Sequence, residues 1–384
     1  MPGSRPSLDV AAAREVIHRI AAPSSTGPAV GLELEWHTYP AGNRALRCDL
    51  ARLQAICDTL ELPGCSSVTF EPGGQVELSS PPDRTVANAC DRLAADAEVL
   101  LAALASAGIE AVAAGYDPHR PPVRTLEHPR YAVMEAYFDR EGPAGREMMC
   151  STAALQVNLD TGADPTARWD LVHAVGPALA AAFATSPSPG FASQRLATWL
   201  AMDRTRTMSA RHGADPIADW ATFALDARVM LLRLGERWGE VADELTLAGW
   251  LEHGHDGVWP DESDVAYHLT TLFPPVRLRG WLELRFLDSL PAPWWRAAAV
   301  TTATVLADDE VGRHVAALAR HHGVADRWAV AARRGLDHGG LAAVALACVQ
   351  SAAEASGDPV VAEFLDRFTS QGRAPGRDSG RCVA

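Results

Sequence analysis

Between Phe70 and Ser80 the chain reads FEPGGQVELSS, and this stretch restricts the fold more than any other. Pro-Gly-Gly between two alternating runs predicts a tight hairpin, Ser67–Glu71 paired with Gln75–Ser79, with Pro72, Gly73 and Gly74 at the turn. Side chains alternate across a strand, so Val68, Phe70, Val76 and Leu78 share one face. Thr69, Glu71, Gln75, Glu77 and Ser79 share the other. A slip of one residue would send both glutamates into the core.

The same alternation recurs. GLELEW places Leu32 and Leu34 on one side and Glu33 and Glu35 on the other; LQVNLD does this for Gln156 and Asn158, and WLELRFLD for Glu283 and Arg285. Four strand segments therefore each turn a carboxylate or an amide away from the core. A solvated outer face would give that pattern too. Such a face normally mixes its polar residues, however, and like charges two residues apart on a strand lie about 6.5–7 Å apart and repel unless a cation sits between them. Several carboxylates turned to one concavity suit a hard divalent cation, which binds through oxygen and often shares substrate phosphates. The pattern points to metal-assisted phosphoryl transfer.

Around these strands the sequence predicts helices over Leu8–Ile20, Leu50–Leu60 and Thr85–Ser106, a strand over Ile109–Ala114, and a helical block from Pro165 to about Asp261. Two strands follow within Pro274–Asp288, and helices run from Pro293 to Thr369. Strands scattered among helical blocks indicate an α+β fold, an antiparallel sheet with helices against one face. No linker or repeat divides the chain, so residues 1–370 are expected to form a single catalytic domain, with residues 371–384, rich in Gly and Arg, a disordered tail.

Composition removes several function classes. The net charge of −14 disfavours a nucleic-acid partner. No lysine occurs and all 34 basic residues are arginine, which excludes a Schiff-base lysine and the lysine of a phosphate-binding loop. Arginine and metal must then handle any phosphate. No apolar run is expected to cross a membrane, and the N-terminus has no basic region leading an apolar one, so the expected location is the cytoplasm. The seven cysteines are odd in number and lack C-x-x-C spacing, which argues against a zinc site and a disulfide framework.

Four segments in order, GLELEW, FEPGGQVELS, REMMCSTAALQVNLD and HLTTLFPPVRLRGWLELRFLD, resemble the plant-type glutamate–cysteine ligases, and most closely the actinobacterial branch that serves ergothioneine synthesis. The resemblance implies a glutamine-synthetase-like curved antiparallel sheet with helices packed on its outer face. It implies ATP-dependent joining of the L-glutamate γ-carboxylate to L-cysteine through a γ-glutamyl phosphate. By the same resemblance Glu33, Glu35, Glu71, Glu77 and Glu283 are Mg²⁺ ligands, with Mn²⁺ the alternative metal. Glu283 and Arg285 are the catalytic pair; among the cofactor-binding residues Arg285 clamps the ATP phosphates, and Gln156 or Asn158 completes the Mg²⁺ shell.

Arg195 and Arg206, with Trp199 as a wall, are expected at the glutamate carboxylate, and Met148, Met149 and Thr152 along the substrate pocket. Met208 departs from the small residue usual in the family after the second Arg-[ST]. His268 is the one candidate for a general base, with a structural role as the other reading. Replacing Glu283 by Gln is expected to cost turnover and spare the fold. Rival readings are a same-fold ligase with another amine acceptor, a non-catalytic binder of nucleotide or amino acid, and a metal-dependent phosphohydrolase.

Overall fold

A computed structural model describes residues 8–23, 27–210, 213–234, 237–241 and 244–377. Its strands are β1 (Val30–Pro40), β2 (Ser67–Phe70), β3 (Val76–Ser79), β4 (Ile109–Val112), β5 (Ala154–Leu159), β6 (Leu231–Leu234), β7 (Arg237–Glu240), β8 (Val276–Leu278) and β9 (Leu282–Asp288). Seven of them form one sheet in the order β2-β3-β1-β5-β9-β8, with β4 pairing the far end of β1. Every pairing in it is antiparallel.

The α+β class holds, but the curved, glutamine-synthetase-like sheet does not. The sheet is neither closed nor curled: it is an open path with β2 at one edge and β8 at the other. Alternation within a strand fixes which face a side chain takes. It does not specify how far successive strands bend, and curvature is implied by the resemblance alone.

One face of the sheet is covered by helices. Val86–Ser106 starts where the Thr85 side chain accepts the Asn88 N–H, and it buries Cys90, Leu93, Ala97, Leu100 and Leu104 at helical spacing. It lies against β1, β3 and β4, while Trp294–Ala307 packs on β5 and Pro165–Ala182 on β9. Leu32, Leu34, Val76, Leu78, Leu155, Val157 and Leu284 meet these helices from the sheet, all at most 1% exposed. Glutamates and arginines take the opposite face.

The Pro-Gly-Gly turn is fixed by its surroundings. Gly74 has φ +85, a left-handed conformation that glycine adopts without strain. A Cβ on Gly73 would stand 2.4 Å from the Cys150 carbonyl oxygen, so the turn can press against the helix Ala144–Ser151 only as glycine. The Gln75 amide then donates to the Thr152 carbonyl at 2.8 Å and ties the hairpin to the start of β5.

Two elements differ from the sequence expectation. Leu231–Leu234 and Arg237–Glu240 pair as a hairpin inside the block read as helical. Leu231 and Leu232 are both buried, so the segment has no period-two signal to read. The helix Gly339–Ser356 is apolar and long enough to cross a membrane by composition, with a mean hydropathy of 1.2, although none was expected. It packs on Pro165–Ala182, Trp294–Ala307 and Asp309–His322, burying Leu341, Val344, Ala345, Cys348, Val349 and Ala352. Of the tail, residues up to Arg377 are placed, and the Gly376 N–H bonds the Ala184 carbonyl at 3.0 Å; residues 378–384 lie outside the described residues.

Candidate active site

Register brings the polar residues together. Glu35 pairs with Glu77 across β1 and β3, Glu33 with Gln156 across β1 and β5, Asn158 with Glu283 across β5 and β9, and Glu283 with Arg277 across β9 and β8. A bulge interrupts the β5–β9 ladder, where Leu155 faces Leu287 but Val157 faces Leu284. The extra residue lies opposite Gln156, and such bulges re-aim side chains. There the Arg285 guanidinium donates to Gln156 Oε1 at 2.7 Å and to Glu283 Oε1 at 2.5 Å.

A cavity of about 260 Å³ opens on this face. Its lining includes Glu33, Glu35, Glu71, Glu77 and Glu283, Arg195, Arg277, Arg279 and Arg285, and Gln156 and Thr152. Met134, Met148, Met149, Trp199 and Phe273 supply an apolar wall. The carboxylates fall into two groups with different electrostatics.

In the first group, Glu35, Glu71 and Glu77 each present an oxygen within 4.8 Å of the others. Burial and then the charges of Glu71 and Glu77 push the Glu35 carboxyl well above its ordinary value of 4.5. Burial and Glu71 push Glu77 up to about 6, although it accepts hydrogen bonds from the Thr69 and Ser79 hydroxyls at 2.6 and 3.1 Å. Burial, Glu77 and Glu283 push the adjacent Glu33 up to about 7. Mutually repelling buried carboxylates with converging oxygens fit a hard divalent cation.

Raised carboxyl pKa values set the sign of a pH effect. The protonated forms of Glu33 and Glu77 are favoured in the folded protein, so their contribution to stability is present below about 4.5 and is lost as pH rises through about 6 and 7. A cation that holds these groups ionised offsets the loss. Mg²⁺ is therefore expected to raise the thermal midpoint more at about pH 8 than at about pH 5. Scanning fluorimetry checks this; equal shifts at both pH values would refute it.

Glu283 stands apart. Arg277 takes both of its oxygens, Nε to Oε2 at 2.8 Å and an Nη to Oε1 at 2.5 Å, and Arg279 lies 3.4 Å from Oε2. Burial alone would raise this carboxyl, yet Arg277 and Arg285 hold it down to about 2. Among the described residues, the buried polar atoms without a hydrogen-bond partner include the Nε atoms of Arg130, Arg195 and Arg285 and the indole N–H of Trp199. These four belong to residues that line the cavity. Unmet buried donors are costly, and an anionic ligand would satisfy them.

The chain matches the model of the glutamate–cysteine ligase family 2 over residues 29–359. The chain belongs to this family. It is 42% identical over 376 residues to the glutamate–cysteine ligase EgtA of Mycolicibacterium smegmatis, covering 92% of this chain and 87% of that one. It is 40% identical over 342 residues to EgtA of Mycobacterium tuberculosis, covering 84% and 78%. To the chloroplastic glutamate–cysteine ligase of Arabidopsis thaliana it is 31% identical over 252 residues, covering 62% of this chain and 48% of that one. A solved glutamate–cysteine ligase of Francisella tularensis, in complex with AMP, gives a TM-score of 0.45 at 10% identity, covering 94% of this chain and 86% of that one.

Most of the residues that the sequence proposes for a glutamate–cysteine ligase site line the cavity: Glu33, Glu35, Glu71, Glu77, Glu283, Arg285, Gln156, Arg195, Trp199, Met148, Met149 and Thr152. Asn158 is one step removed, donating to Glu33 Oε1 at 2.9 Å and accepting from the Trp281 indole at 3.1 Å.

Arg206 is a correction. It is fully buried and spends its guanidinium on Asp203, the Thr271 and Arg228 carbonyls and the Tyr137 hydroxyl, so none of it reaches the cavity. The local Arg-[ST] pattern could not reveal the aspartate three residues earlier as its partner. His268 is held at 3.0 Å from the Ala224 carbonyl; burial and then the Arg206 charge push it down to about 3, away from the cavity.

Sequence reading missed Arg130, Arg277 and Arg279. In PPVRLRG the two later arginines alternate with Val276 and Leu278, the same signal that found Glu283. Arg130, at the start of the helix Pro129–Asp139, carries no such signal.

Proposed function

We propose that this protein is an ATP-dependent glutamate–cysteine ligase that forms γ-glutamylcysteine, serving ergothioneine synthesis. The observation that carries the reading is one cavity in which a cation-ready cluster, Glu35, Glu71 and Glu77, adjoins a carboxylate ringed by arginines, Glu283 with Arg277, Arg279 and Arg285. Family membership supports the same reaction.

A carboxylate is a poor electrophile, so the γ-carboxylate of glutamate must be phosphorylated first. One of its oxygens attacks the γ-phosphorus of ATP and ADP leaves. The cysteine amine then attacks the acyl carbon, releases phosphate and loses a proton. Mg²⁺ held by Glu35, Glu71 and Glu77 would supply neutralisation of phosphate charge. Arg285, whose Nε has no protein partner, offers a planar fork matched to phosphoryl oxygens and is kept in place by Glu283, while Arg277 spends its own fork on Glu283. Arg195 lies beside them, its Nη donating to the Arg285 carbonyl at 2.8 Å and its Nε unmet, and is assigned the glutamate carboxylate. The wall of Met148, Met149 and Trp199 keeps water from the acyl phosphate.

ADP release with Mg²⁺-ATP and L-glutamate, with and without L-cysteine, tests the proposal, the products being weighed by mass spectrometry. Cysteine-dependent release with a γ-glutamylcysteine product is expected. Release indifferent to cysteine would overturn the acceptor and point to another amine.

A further inference from the structure

The tip of the β8–β9 hairpin holds two side chains with no assigned role, Arg279 and Trp281. The backbone turns there through Gly280, at φ +80, and the Arg279 N–H bonds the Trp281 carbonyl at 2.9 Å. Trp281 is anchored inward. Its indole donates to Asn158, which donates to Glu33, so the tip is fixed to the carboxylate wall. Arg279 is anchored far less. Its guanidinium lies over the Trp281 ring at 5.3 Å from the centroid and gives Glu283 a single long contact of 3.4 Å.

Glu283 does not need that contact. Both of its oxygens are already taken by Arg277, and Oε1 also by Arg285, at 2.5–2.8 Å. Three guanidiniums thus face Glu283, and of these Arg285 is also drawn by Glu33 and Glu35, which leaves Arg279 the one least committed to a carboxylate. The three differ in access: the Arg277 and Arg285 side chains are 9% and 14% exposed, that of Arg279 44%. The side chain that contributes least to Glu283 is also the most exposed of the three. At about 260 Å³ the cavity is smaller than the usual ligand site of about 300–1,000 Å³, so substrates must extend past its rim.

We infer that Arg279 is a phosphate-recognition residue of the nucleotide site, turning from Glu283 onto the polyphosphate of the bound nucleotide while Trp281 holds the hairpin tip in place. The inference rests on the ATP-dependent reading above. A polyphosphate offers several adjacent oxygens to one exposed guanidinium, and the guanidinium fork can bridge two of them.

The experiment measures binding of Mg²⁺-ADP and of inorganic tripolyphosphate by calorimetry, together with the KM of each substrate, in the wild type, Arg279→Gln and Arg279→Lys. Loss of a charge-assisted contact is expected to weaken both phosphate ligands by about tenfold or more in Arg279→Gln. The KM for Mg²⁺-ATP should rise in parallel, while that for glutamate stays within about twofold, as expected for a contact to one ligand alone. Arg279→Lys, which keeps the charge and loses the fork, should fall between. Unchanged affinity for both phosphate ligands, or a shift that falls on glutamate instead, would overturn the assignment. Arg279-dependent tripolyphosphate binding in a protein that yields no γ-glutamylcysteine would uphold it and overturn the ligase reading alone.

Discussion

Glu283→Gln is expected to destroy activity and weaken the fold together. The side chain is 3% exposed and is the acidic partner of Arg277, itself 9% exposed. Glutamine keeps the shape but removes the charge, leaving Arg277 buried with no acidic partner at 2.5 Å. Breaking a buried ion pair from one side costs about 3–5 kcal/mol, because the remaining charge stays desolvated. The sequence reading expected the fold to be spared, and burial of the pair reverses that expectation. Turnover should fall by more than about 100-fold, since Arg285 loses the group that aims it at the phosphoryl oxygens. Denaturant titration and steady-state kinetics check the two halves separately. Wild-type stability would show that Arg277 finds another partner, and near-normal turnover would remove Glu283 from the site.

Glu77→Gln is expected to give the opposite pairing of effects. In the metal-free protein burial and then the charge of Glu71 push the Glu77 carboxyl up to about 6. At about pH 8 it is ionised and the repulsion is at full strength. The neutral amide removes the repulsion and still accepts from Thr69 and Ser79, whose hydroxyls now reach the carboxylate at 2.6 and 3.1 Å. A shift of that size corresponds to about 2 kcal/mol, so the metal-free variant should be more stable than the wild type by up to about that amount at pH near 8. Activity should drop by about 100-fold or more and the Mg²⁺-induced rise in thermal midpoint should shrink, because one of three converging oxygens loses its charge. Paired melting curves with and without Mg²⁺ check this. A variant that is less stable without metal and still gains the full Mg²⁺ shift would place the cation elsewhere.

These contrasting outcomes for two glutamates on one sheet face show where the sequence stopped being informative. Glu77 and Glu283 carry the same local signature, a glutamate between apolar residues of an alternating strand. What separates them is the neighbour across the ladder. Glu77 faces Glu35, and Glu283 faces Arg277. The first pair repels and awaits a cation; the second attracts and is already neutral. Arg206 and Arg195 make the same point, standing eleven residues apart by their numbering in one Arg-rich stretch. Arg206 is locked against Asp203, while Arg195 keeps an unmet Nε beside the cavity.

The sequence by itself determined the hairpin around Pro72, Gly73 and Gly74, the strands that carry Glu33, Glu35, Gln156 and Glu283, and the face each residue takes. Those follow from period-two alternation and from turn chemistry, which are properties of a few consecutive residues. Only the tertiary structure decided the strand order β2-β3-β1-β5-β9-β8, its open form, and the bulge that sets Arg285 between Gln156 and Glu283. The partners involved lie up to 129 positions apart in the chain. Whether two such residues meet depends on how helices fill the far face and where each ladder slips, and no local pattern encodes either. The charge state of each carboxylate follows from those meetings, so it too belongs to the folded protein.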